Sequence, residues 1–187
     1  MKKIFLLLLF STTISVYAQQ VVQDFTLTNV KDGKSVSLST YSSAKAVVIV
    51  FTSHECPFDN YYKERMKELI NSYSGKVQFL LINSNIEAQE NAEQMSIHYT
   101  DFNVPYLADK DQVVMGIMGA KKTPEVFLLT SKSGKFSIVY SGAIDDNPQS
   151  AKDVRNYLLK NAIDTVLADS KPAQVAERVT GCTIRKK

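Results

Sequence analysis

A chain of 187 residues, 44% of them hydrophobic, is long enough to bury one sizeable core. Its 22 basic and 19 acidic residues leave a formal net charge of +3, a balance that argues against nucleic acid or an anionic surface as principal partner. Two cysteines are too few for a disulfide scaffold, so packing must hold the fold.

The chain begins with Lys2 and Lys3, an apolar run from Ile4 to Phe10, and then Val16-Tyr17-Ala18. A basic start, a short apolar stretch and small residues before Gln19 predict a secretory leader cleaved after Ala18. The apolar run is too short to span about 30 Å of hydrocarbon. No cysteine follows it, so lipid attachment is not expected. The organisation predicted is a leader over 1–18, one domain over 19–170 and a basic tail over 171–187. Export to the periplasm or another extracytoplasmic space follows, with no stable membrane insertion. Without Lys2 and Lys3 the charge is close to neutral.

Val21 to Leu38 reads as two short strands around a turn at Lys31-Asp32-Gly33. Ala46 to Phe51 is an apolar, β-branched run typical of a strand buried on both faces. Pro57 suits the first turn of a helix that continues to Gly75, with Met66, Leu69, Ile70 and Tyr73 on one face. Val77 to Ile82 is a second buried strand. Helices are expected over Ala88–Tyr99 and Asp111–Met118. Val126–Thr130 and Phe136–Tyr140 flank Ser131-Lys132-Ser133-Gly134 and predict an antiparallel hairpin. A last helix is expected over Ala151–Leu167, and beyond Lys171-Pro172 a loosely held tail. Alternating strands and helices, then a hairpin and a closing helix, define a layered α/β fold whose two buried strands are parallel neighbours.

Cys56 stands where the first buried strand gives way to the helix. A thiol there faces unsatisfied backbone N–H groups and the positive end of the helix dipole, which favour the nucleophilic thiolate. Ser53 is placed to donate a hydrogen bond to the sulfur. His54, if protonated, would favour the thiolate, and Glu55 would oppose it. The alternative is a buried structural cysteine packing as a small hydrophobe.

The segments FTSHECPF, ERM, LLINSN, VPYLADKDQ, GAKKTPEVFLL, YSGAIDD and GCTIRKK resemble, in order and spacing, a thioredoxin-like redoxin family related to alkyl hydroperoxide reductases and thiol-specific antioxidant proteins. The likeness runs from about Phe25 to Cys182. It implies a thioredoxin-like three-layer sandwich, a central mixed sheet flanked by helices, with Cys56 as redox nucleophile. It also implies a cis peptide before Pro124, with Pro57, Thr123 and Pro124 forming the substrate-binding surface. The chain departs from the branch at Ser53, where C-x-x-C-P carries its first cysteine. Without that sulfur, ordinary dithiol exchange at the motif is not available. Ser53-x-x-Cys56-Pro57 is instead similar to the T-x-x-C of peroxiredoxins, although Ile49 stands where they carry proline. Arg65 is a candidate for their catalytic arginine, with a surface salt bridge as the alternative.

Cys182, in an ending similar to a G-C-x-I found in the branch, reads either as a thiol that resolves an oxidised Cys56 or as a cysteine unrelated to turnover. His54 and His98 give no cluster of three or four ligands at metal spacing, so neither metal nor other cofactor is expected. The resulting expectation is an exported thiol oxidoreductase that takes a peroxide or a disulfide as substrate and an external thiol as reductant. A non-catalytic thioredoxin-fold binding module is the alternative, and a copper-binding protein of the same fold a more distant one.

Overall fold

β-Branched side chains crowd Val47–Phe51, and this run becomes β4, a strand with every residue buried. Val48 and Val50 enter one core and Val47, Ile49 and Phe51 the other, so apolar side chains are required on both faces. The structure, a computed structural model, describes residues 20–98, 102–173 and 178–187. The expected leader, Tyr99 and Val175 lie outside them.

In chain order, β1 (Val21–Val22), β2 (Thr26–Asn29) and β3 (Ser35–Ser37) precede β4. Then come α1 (Pro57–Ser72), β5 (Gln78–Asn83), α2 (Ala92–His98), β6 (Tyr106–Ala108), α3 (Val113–Met118) and β7 (Lys122–Thr123). The hairpin β8 (Glu125–Lys132) and β9 (Lys135–Gly142), α4 (Leu158–Leu167) and β10 (Cys182–Thr183) complete the chain. Eight strands form one mixed sheet in the order β1-β9-β8-β4-β5-β6-β2-β3. β4 runs parallel to β5 and antiparallel to β8, and β5 runs parallel to β6. Side chains of α1, α2 and α4 pack on one face, and those of α3 on the other, giving the thioredoxin-like sandwich. Among the described residues no helix is long and apolar enough to cross a membrane.

Three expectations need correction. The helix expected over 88–99 is a 3-10 turn at Ala88–Glu90 followed by α2. The break falls at Asn91, whose side-chain oxygen accepts from the Gln94 N–H at 2.9 Å and restarts the helix. The helix expected from Ala151 begins at Leu158. Asp146 explains the delay: its carboxylate accepts from the Arg155 N–H and the Asn156 amide, each at 3.0 Å, and holds that stretch out of the helix. Finally, the end of the tail is not loose. β10 pairs antiparallel with β7, placing Cys182 opposite Thr123, and Ile184 is buried in the core beneath it.

Candidate active site

The junction between β4 and α1 assembles the site. Cys56 is the N-cap of α1, in extended conformation with Pro57 following, and the residue is 2% exposed. Its sulfur is bonded to Cys182, with the two Cα atoms 5.9 Å apart, inside the range a disulfide needs. Among the described residues no cysteine is free. The Thr123–Pro124 peptide is cis, as the resemblance implied, and the Thr123 carbonyl oxygen lies 3.3 Å from Cys56 Sγ. The sulfur bonded to Cys56 thus comes from 126 residues further along the chain, not from position 53.

Ser53 does not serve the sulfur. Its hydroxyl donates to Glu90 Oε1 and accepts from the Glu55 N–H at 3.2 Å. Glu90, 2% exposed, takes further donors: Asn83 Nδ2 at 2.6 Å and the Glu55 N–H at 3.4 Å. A buried carboxylate is tolerated only with such partners, and Ser53 is spent on that duty. Lys110 Nζ donates to Asn83 Oδ1 at 2.9 Å and to the Asn85 carbonyl at 2.8 Å. Burial lowers its pKa to about 8, against the attraction of Glu90, Asp109 and Glu87.

Asp59, one helical turn beyond Cys56, was not foreseen. Burial raises its carboxyl to about 8, against the lowering effect of the hydrogen bond that the Thr52 hydroxyl donates to it. The Thr52 contact is 2.5 Å. Near neutral pH Asp59 thus retains its proton. It lines a cleft of about 80 Å³ together with Thr52, Ser53, His54, His98 and Pro124. The sequence did hold one signal, an acidic residue in an otherwise favourable first turn, but such residues ordinarily sit in solvent.

His54 stacks on His98 with ring centroids 4.4 Å apart. His54 Nε2 lies 2.7 Å from the Gln89 carbonyl, and Nδ1 lies 3.1 Å from Glu90 Oε2. His54, Glu55 and His98 bring three ligand-type atoms within 4.8 Å of one another, a grouping that sequence spacing did not reveal. Arg65 is engaged in the salt bridge given as the alternative, partly buried rather than at the surface. It donates to Asp145 Oδ2 at 2.6 Å and to the carbonyls of Asn147 and Pro148, with its side chain 13% exposed. It fixes the loop after β9.

Comparison with known proteins agrees with this architecture. The profile of the AhpC/TSA family matches residues 18–145. A hypothetical protein from Sinorhizobium meliloti is 28% identical, with a TM-score of 0.78 over 91% of this chain and 95% of that one. An uncharacterized conserved protein from Geobacillus kaustophilus is 27% identical, with a TM-score of 0.79 over 92% and 94%. Peroxidoxin BcpB from Mycobacterium tuberculosis shares the fold at 16% identity and a TM-score of 0.51, over 81% of this chain and 91% of that one. No curated protein matches the chain.

Proposed function

The chain belongs to the AhpC/TSA family, a thioredoxin-like redoxin family, and from that premise we propose that it is an exported thiol–disulfide oxidoreductase whose working pair is Cys56 and Cys182. The observation that carries this reading is the Cys56–Cys182 bond at the N-terminus of α1, against the cis peptide. Cys182 is half-buried and Cys56 buried, so a thiolate from an external reductant would reach Cys182 Sγ. That attack forms a mixed disulfide at Cys182 and expels Cys56 as thiolate. The leaving sulfur sits at the positive end of α1, which favours departure. A second thiolate of the reductant then frees Cys182, and the reductant leaves as a disulfide.

In the productive half-cycle, the Cys56 thiolate attacks a substrate disulfide. One substrate sulfur bonds to Cys56, and the other leaves as a thiolate and takes a proton. Cys182 thiolate then attacks Cys56 Sγ, restoring the internal bond and releasing the second substrate thiol. Two electrons pass from the pair to the substrate.

Peroxide reduction is the weaker reading, because Ser53 is bound to Glu90 and Arg65 to Asp145. Thiol trapping across glutathione redox buffers tests the proposal under native conditions. Both thiols should appear together in the wild type, whereas Cys182→Ser should stall as a glutathione mixed disulfide on Cys56. A bond that exchanges only after unfolding would make the pair a structural bridge. Export is tested separately, by the N-terminal residue of protein recovered from the extracytoplasmic fraction, expected to be Gln19.

A further inference from the structure

The tail contacts the site mainly through its main chain. β10 adds to the edge of β7, and the Ile184 N–H donates to the Lys121 carbonyl at 3.0 Å. Gln112, a non-glycine residue held at φ 58°, grips two further peptide groups: its amide donates to the Arg185 carbonyl at 2.6 Å and accepts from the Lys187 N–H at 2.9 Å. Lys122 Nζ reaches the Gly181 carbonyl at 3.3 Å and the Thr183 hydroxyl at 3.0 Å. The Lys187–Asp111 pair at 2.8 Å is largely exposed and adds little.

Apart from the cysteine, two positions carry side-chain selectivity. A Cβ at Gly181 would lie 2.3 Å from the Thr123 carbonyl oxygen and 2.8 Å from its carbon. Both are backbone atoms beside the cis proline, so they cannot swing away as a side chain would. At Ile184 the side chain is 4% exposed, packed in the core cluster that includes Met115, Met118 and Ala120. The groove thus excludes any side chain immediately before the cysteine and accepts an apolar one two residues after it.

Building on the redox reading above, we infer that the tail occupies the substrate groove as a tethered surrogate, and that the substrates are proteins presenting an extended Gly-Cys-x-apolar segment whose cysteine takes the place of Cys182. Reduction of the internal bond frees the segment. Until then a tethered competitor, at an effective concentration of order millimolar, fills the groove. The covalent step is attack of the Cys56 thiolate on the segment's cysteine sulfur in a disulfide. The Cys56–segment bond forms as the partner sulfur leaves with the electron pair and is protonated by water.

The test uses full-length Cys182→Ser protein, alone and with Gly181→Val, which evicts the tail. Probes are the pentapeptides Gly-Cys-Thr-Ile-Arg, Val-Cys-Thr-Ile-Arg and Gly-Cys-Thr-Ser-Arg, each activated as a thionitrobenzoate disulfide. Release of coloured thionitrobenzoate reports the rate, and Ellman's reagent reports intrinsic reactivity of Cys56. The first peptide should react at least about tenfold faster than either other, a difference of about 1.4 kcal/mol in barrier. Adding Gly181→Val should speed it further by removing the competitor. Equal rates for the three peptides, with Cys56 reactive towards Ellman's reagent, overturn the inference while leaving the redox reading intact. A Cys56 inert to every probe in the folded protein overturns both. Because the comparison among peptides can be made in Cys182→Ser alone, it does not depend on the second variant folding.

Discussion

Reducing the Cys56–Cys182 bond should destabilise the domain by an amount that reveals what the tail does next. The bond closes a loop with a sequence separation of 126 residues. In the chain-entropy account, such a loop removes about 5 kcal/mol of freedom from the unfolded state. That full value is returned only if the native state keeps the tail docked after reduction. If the tail comes away, the folded protein also gains freedom. The segment from Leu167, the end of α4, to Cys182 then becomes a free arm of about 15 residues, worth about 3 kcal/mol on the same scale. A net difference of about 2 kcal/mol is therefore expected between oxidised and reduced wild type. With a urea slope of about 2 kcal/mol per molar, the midpoint falls by about 1 M. Urea unfolding followed by far-UV circular dichroism, with and without dithiothreitol, measures it. Comparing one sequence in two redox states avoids any substitution at Cys56. A shift near 2.5 M would mean that the tail stays docked unaided, refuting its release. Coincident midpoints would refute the latch altogether.

Asp59→Asn should change how stability depends on pH. The folded carboxyl is raised above its unfolded value, so its contribution is complete below about pH 4 and is lost as pH rises towards 8. Between about pH 5 and 7 the wild type should lose about 1.4 kcal/mol per pH unit relative to the variant, and parallel unfolding profiles would contradict burial of the carboxyl. Arg65→Met should cost about 3 kcal/mol in urea unfolding by leaving Asp145 without its cation, with no change in Cys56 alkylation rate. A slowed alkylation would instead return Arg65 to the chemistry. Ser53→Cys combined with Cys182→Ser should form a disulfide with Cys56 on oxidation, read as loss of both free thiols. Two persistent thiols would mean that the Glu90 network holds residue 53 away from the sulfur.

Local sequence determined the parts of this protein that depend on near neighbours. The β-branched run at Val47–Phe51 is typical of a strand with both faces covered, and Pro57 suits the first turn of a helix, which places Cys56 at their junction. The turn at Ser133-Gly134, with both residues at positive φ, fixed the hairpin. Boundaries failed at Asn91 and Asp146, where a single side chain competes with helical bonding through contacts that periodicity does not register. What required the tertiary structure was every long-range partner. Ser53 was read as a donor to a sulfur three residues away, yet it serves a carboxylate 37 residues away. Asp59 looks like an ordinary first-turn acid until the sheet and the cis-proline loop bury it and raise its pKa. The tail has polar, basic composition and looks unattached. It is held mainly by one sulfur, one isoleucine and the main chain, with exposed side-chain contacts such as Thr183 to Lys122 and Lys187 to Asp111 beside them, and main-chain bonding leaves no mark on sequence because every residue carries the same groups.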